Sequence, residues 1–255
     1  MLSIGIAIAL TLVGQDQSKS PAAKVLIEKM MNRYYSAQTL TGTIKLTVST
    51  EAGSASLDTA LQYERPAKLY IRQQKNVANP DPGQPSKWLV TSDGTTFSYD
   101  IPNHKYESAP GLRLAEPVSN PRVKTVHTVA TIYSAASKSI GDRSMPLDIA
   151  ISGRDDLLYR RAQWLTFKVI GNKEVAGRPV SLVGGDYRPY AGAEAIGKYQ
   201  MAITPEGDLL QYVEETNVAV GEGGNAQTVR ITSQWDVNLI VGGKVDPGLF
   251  KVVLR

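Results

Sequence analysis

Over Thr41–Glu64 the chain places an apolar or small residue at every second position, and that period of two fixes the fold class. Ile44, Leu46 and Val48 alternate with Lys45, Thr47 and Ser49. After a turn at Glu51–Ala55, Leu57, Thr59, Leu61 and Tyr63 alternate with Asp58, Ala60, Gln62 and Glu64. Successive side chains of a strand point to opposite faces, so this pattern makes antiparallel sheet with one wet face and one covered face. Arg65-Pro66 ends the second strand, because proline cannot donate to a central ladder. Strand signals follow at Leu69–Gln74, Lys87–Ser92 and Phe97–Asp100, with Ser92-Asp93-Gly94-Thr95 as the turn between the last two.

The same period returns late in the chain. Phe167 and Val169 are expected to lead into a turn at Gly171-Asn172, with Val180 and Leu182 on the return strand. Tyr199, Met201 and Ile203 form another run, Pro205-Glu206-Gly207-Asp208 turns into Leu210 and Tyr212, and Val229, Ile231, Trp235 and Val237 complete the set. The total is ten or eleven strands, mostly neighbours in sequence. A sheet of that size must curl or close, since strands twist.

Helices interrupt the pattern twice. Ser20-Pro21 is a helix start, with Val25, Leu26, Met30, Tyr34 and Ala37 at helical spacing behind it. Asn120-Pro121 starts a second, with Val123, Val126, Ala130, Tyr133 and Ala136 as its apolar face; Met145–Ile151 and Asp155–Gln163 are shorter candidates. A helical insert near 111–163 between two runs of strands implies α+β architecture in a single domain over 19–255. Ahead of it, the uncharged apolar run Leu2–Val13 is too short to span a bilayer and fits the core of a signal segment over 1–18, so export is expected.

Composition removes several function classes. With no cysteine among 255 residues there is no disulfide framework, thiolate metal site, cysteine nucleophile or lipid-modified cysteine. The net charge of +4 is spread along the chain, with Arg160-Arg161 as its one adjacent arginine pair, so nucleic acid is not an expected partner. His104 and His127 lack sequence partners, Asp155-Asp156 sits where acids favour a helix start, and Glu214 and Glu215 point to opposite faces of a strand. Gly184-Gly185 and Gly221–Gly224 precede no helix signal. Neither an enzyme nor a cofactor or metal site is expected.

The order of amphipathic helix, two alternating strands, Arg65-Pro66, third strand and then LVTSDGTTFSYD resembles the LolA-like family of periplasmic lipoprotein carriers. The positions that carry the resemblance are Arg65, Pro66, Val90, Ser92, Asp93, Gly94, Phe97 and Tyr99, with KYQMAITPEGDLLQY and Asp246-Pro247-Gly248-Leu249-Phe250 later. It implies an incomplete, strongly curved antiparallel β-barrel wrapped around helices, enclosing a hydrophobic cavity that shields acyl chains of lipid or lipoprotein in the periplasm. The inward strand positions would then bind ligand: Ile44, Leu46, Leu61, Tyr63, Leu69, Ile71, Trp88, Val90, Phe97, Tyr99, Tyr199 and Met201. Arg65 would fasten the helical lid. A monomer that delivers cargo to an inner- or outer-membrane partner is the corresponding expectation. The same residues make ordinary core if the helices fill the cavity, and the same fold can serve as an envelope-stress sensor or protein-interaction module.

Overall fold

A computed structural model describes residues 20–76, 86–95, 97–100, 112–114, 128–136, 141, 143–152, 164–188, 196–220 and 227–252. Eleven strands form one antiparallel sheet among them: β1 (Thr39–Thr50), β2 (Gly53–Glu64), β3 (Lys68–Asn76), β4 (Lys87–Asp93), β5 (Phe97–Asp100), β6 (Leu112–Leu114), β7 (Lys168–Val175), β8 (Arg178–Tyr187), β9 (Gly197–Ile203), β10 (Leu209–Val220) and β11 (Gln227–Val241). Their spatial order is β6-β5-β4-β3-β2-β1-β11-β10-β9-β8-β7. Two meanders thus meet where β1 pairs with β11, from Leu40 opposite Val241 to Ser49 opposite Thr232. With β6 and β7 at opposite ends of this order, the barrel is incomplete, as the family resemblance implied.

Among the described residues, three helices pack on one face: α1 (Pro21–Ser36), α2 (Val129–Ala136) and α3 (Met145–Ile151). α1 touches β7, α2 touches β3 and α3 touches β10, so the sheet curves around them from both sides. Every residue of α3 is buried. Such a helix needs no polar stripe, since nothing on it meets water. Ser144 caps it, its side-chain oxygen accepting from Leu147 N at 3.4 Å. Among the described residues, no helix is long and apolar enough to cross a membrane.

Several sequence expectations shift by a residue or more. The buried stripe of α1 is Ala23, Ile27, Met30, Met31 and Tyr34, whereas Val25 is 63% exposed. Both sets obey the spacing of three and four, and only the sheet's position selects between them. Ser20 caps α1 without a side-chain hydrogen bond; its backbone N–H donates instead to Phe167 O at 2.9 Å. The reversal expected at Gly171-Asn172 falls at Ala176-Gly177, where both residues have positive φ, 50° and 75°. A tight hairpin requires that conformation. Gly171 lies within β7, at a register shift relative to β8. β6 lies inside the stretch read as helical insert, paired with β5. The proposed helix start at 120–121, the Asp155–Gln163 candidate, His104, His127, Gly221–Gly224 and the signal-like run lie outside the described residues.

The Ser92–Thr95 turn is present. Ser92 Oγ donates to Ala67 O at 2.7 Å and accepts from Gly94 N at 3.2 Å, and Asp93 Oδ1 accepts from Thr95 N at 2.8 Å. One serine therefore ties this hairpin to the preceding one.

Candidate functional site

Residues directly opposite one another in an antiparallel sheet share a face, so the register fixes which side chains point at the helices. Tyr63, Leu69, Ser92 and Phe97 form one row across β2–β5, and Leu61, Ile71 and Val90 the next. Leu57, Leu46, Trp235, Tyr212, Met201 and Val183 form a longer row through β2, β1, β11, β10, β9 and β8. The eleven predicted binding residues whose side chains are described therefore belong to the concave face.

They do not surround open space at the level of the helices. Ile44, Leu46, Leu61, Tyr63, Leu69, Ile71, Val90, Phe97, Tyr199 and Met201 are buried in one cluster with Ile27, Met30 and Tyr34 of α1, Ile132 and Tyr133 of α2, and Leu147 and Ile149 of α3. Trp88 is partly buried against that cluster. Tyr99 lies on β5, and its side chain is outside the description. At these levels the helices complete a close-packed core.

The apolar face continues further along the strands. Val48 lies opposite Ser233, Thr216 opposite Ile231, and Val218 opposite Val229, all in phase with the buried row at Leu46 and Trp235. Val48, Ile231 and Val229 are only half-buried, and Val218 is 39% exposed. Among the described residues, the concave surface is thus filled by helices at the end where α1 terminates and only partly covered toward the β1–β2 and β10–β11 ends. The sequence carries this extension in the same alternation, but not the point at which helices stop covering it.

An aromatic wall borders the open end. Tyr199 stacks on Trp164 with ring centroids 5.4 Å apart and on Tyr212 at 6.3 Å, and Tyr212 lies 5.6 Å from Trp235. Trp164 Nε1 donates to Tyr212 Oη at 3.4 Å, and Tyr199 Oη donates to Thr166 O at 2.9 Å. Burial pushes the phenols of Tyr187, Tyr199 and Tyr212 above their ordinary range, with Glu214 reinforcing the shift at Tyr187 and Tyr212 through its charge and hydrogen bonds. These groups stay protonated and serve as donors. Glu215, on the opposite face, pairs instead with Arg230 Nη2 at 2.6 Å.

On the other wall, the α2–α3 connection rests on the sheet through Gly141. Its N–H donates to Gln73 Oε1 at 2.7 Å, and Gln73 Nε2 donates to Thr59 Oγ1 at 3.2 Å. A Cβ on Gly141 would lie 2.6 Å from the Trp88 ring, so glycine allows the backbone to lie flat on the indole.

Arg65 sits where the two helical ends meet. Its Nε donates to Ala37 O, the C-cap of α1, at 2.8 Å, and its guanidinium lies 5.0 Å from the Tyr63 ring centroid. Val129 N, the first residue of α2, donates to Pro66 O at 2.8 Å. The arginine side chain therefore holds α1, and the neighbouring proline carbonyl holds α2. Sequence inspection missed a second fastening. Asp208 receives Arg33 Nε from α1 and Arg178 Nη2 from β8, the latter at 2.6 Å. Tyr34 Oη accepts from Leu209 N at 3.1 Å, while Tyr63 Oη donates to Tyr34 O at 3.3 Å. The Pro-Glu-Gly-Asp turn was visible in sequence, but its partners lie about 30 and 175 residues away.

No family model and no curated protein matches the chain. Among solved structures it is similar to MucB in the MucA/MucB complex of Pseudomonas aeruginosa (TM-score 0.39, 10% identity, 91% of this chain) and spans 61% of that chain. It is also similar to LprF of Mycobacterium bovis (TM-score 0.41, 16% identity, 90% of this chain and 99% of that one). A LolA superfamily protein of Nitrosomonas europaea is similar as well (TM-score 0.30, 6% identity, 90% and 97%). The family that the sequence resembles is thus represented among these structures. At such TM-scores, the function has to be argued from this chain's own residues.

Proposed function

We propose that the protein binds acyl chains of a lipid or lipoprotein at the open end of its concave face and carries them through the periplasm without chemical conversion. The observation that supports this is the continuation of the apolar face past the helices, over Val48, Val218, Val229 and Ile231. A chain lying there would extend from solvent toward Leu46, Leu57 and Trp235. Each buried methylene contributes about 0.8 kcal/mol, so about ten of them contribute roughly 8 kcal/mol before ordering costs. A longer chain requires α2 and α3 to yield space. These helices are eight and seven residues long, too short to be stable without their packing. α1, fixed at both Arg65 and Asp208, is the part that stays.

The test is organic extraction of the purified protein followed by mass spectrometry, with displacement of a fluorescent fatty acid as the binding readout. Val218→Asp is expected to weaken probe binding without unfolding the chain, since this position is 39% exposed in the free protein. A lipid-free protein that binds no probe would sink the proposal. A stable protein partner recovered by cross-linking, with no lipid bound, would support the interaction-module reading instead.

A further inference from the structure

The opposite, convex face of the sheet has a groove of its own, of about 430 Å³, across β7, β8, β9 and β10. Its position follows from the register. Lys168, Gly184, Gln200 and Val213 form one transverse row on the outer face, and Asp186, Lys198 and Glu215 form the next. A Cβ on Gly184 would lie 2.9 Å from Ile170 Cδ1 and 2.9 Å from Tyr199 O, so the missing side chain lets Ile170 lie down over the sheet, where it forms the apolar floor with Val213. The volume falls within the range typical of small-molecule sites, which combine an apolar floor with a few polar groups.

The charges around the hollow do not cancel. Asp186 is fixed by Thr166, whose hydroxyl donates to Oδ2 at 3.2 Å and accepts from Asp186 N at 2.8 Å. Lys198 pairs with Asp186, and Glu215 pairs with Arg230. Lys168, exposed at the rim, has no hydrogen-bond or ion-pair partner among the described residues. Two ammonium groups therefore share one carboxylate at the β7 end, leaving one positive charge beside an apolar floor.

We infer that this groove is a second binding site, separate from the concave face, for a small amphiphilic organic anion. Its carboxylate or phosphate lies against Lys168 and Lys198, and a short apolar body rests on Ile170 and Val213. Asp186 directs the anion toward the lysines by repelling it from the inner end of the groove. Gln200 offers a side-chain amide to a further polar atom on the ligand.

The experiment titrates the full chain with hexyl phosphate, and with hexylammonium as the charge-reversed control, following amide resonances of β7–β10 by NMR. Hexyl phosphate is expected to shift the resonances of Lys168, Gly184 and Lys198 saturably, and hexylammonium is not. Lys168→Glu should weaken hexyl phosphate by about tenfold or more, the scale of one charge-assisted hydrogen bond. Ile170→Gln should remove the advantage of hexyl phosphate over methyl phosphate. Val218→Asp, on the concave face, should leave all of this unchanged, which separates this site from acyl-chain binding. Equal binding of the two probes, shifts confined to the concave face, or undiminished affinity in folded Lys168→Glu would each overturn the inference.

Discussion

Replacing Asp208 with asparagine tests whether α1 is the fixed part of the helical layer. The carboxylate side chain is 8% exposed and receives two guanidiniums, from Arg33 and Arg178, whose side chains are 33% and 42% exposed. Asparagine keeps the volume but removes the charge and leaves the arginines facing each other. Breaking a fully buried ion pair costs about 3–5 kcal/mol. Here both cations reach water, which screens part of that, so about 2–3 kcal/mol is expected. For a chain of this size each kcal/mol lowers Tm by roughly 2–4 °C, giving a fall of about 4–12 °C. Thermal and urea unfolding would measure it, and Arg33→Met and Arg178→Met in double-mutant cycles would apportion it between α1 and β8. The Arg33 coupling should exceed zero by at least about 0.5 kcal/mol, above the usual error of additivity. A loss below that, or a coupling confined to Arg178, would refute the view that this turn clamps the helix.

Three further outcomes follow from the same geometry. Arg65→Leu should leave the chain folded yet change the rate at which bound fluorescent fatty acid is released, because it removes the cap on Ala37 O; unchanged release kinetics would make Arg65 a strand-end residue only. Gly141→Val should displace the Trp88 ring, shift its fluorescence and speed probe uptake by loosening the α2–α3 connection, whereas an unaltered spectrum would contradict the close contact. Burial raises the phenols of Tyr34, Tyr187, Tyr199 and Tyr212 above the ordinary tyrosine value of 10.0. The unfolded chain therefore loses these protons first as pH rises, and their contribution to stability, full below pH 10, should fall progressively above it. Ring resonances of these four tyrosines that move to the tyrosinate form well before loss of tertiary structure would argue against their burial.

The fold class was legible because its cause is local. Alternation at Ile44–Val48, Leu57–Tyr63 and Tyr199–Ile203 encodes a one-sided sheet whatever the neighbours are, and Ser92–Thr95 carries its own turn chemistry. The candidate site was legible only as a face. Ile44, Leu61 and Met201 were correctly expected to point inward, but inward residues become core or binding surface according to where helices end, and no local pattern states that. The same limit explains α1, whose two possible apolar stripes differ by a rotation that the sheet decides, and the hairpin that turned at Ala176-Gly177 rather than at Gly171-Asn172.

By itself, then, the sequence determined a large antiparallel sheet that must curl or close, its wet and dry faces, and the absence of any cysteine chemistry, because these depend on residue type and on periods of two and three to four. Tertiary structure alone decided that Asp208 meets Arg33 and Arg178, that Arg65 caps α1, that the dry face extends past the described helices at Val48 and Val218, and that Ile170 lies over Gly184 in a groove on the wet face. Each of these joins residues far apart in the chain. Such contacts form only once the sheet has curved and brought its two meanders around one set of helices.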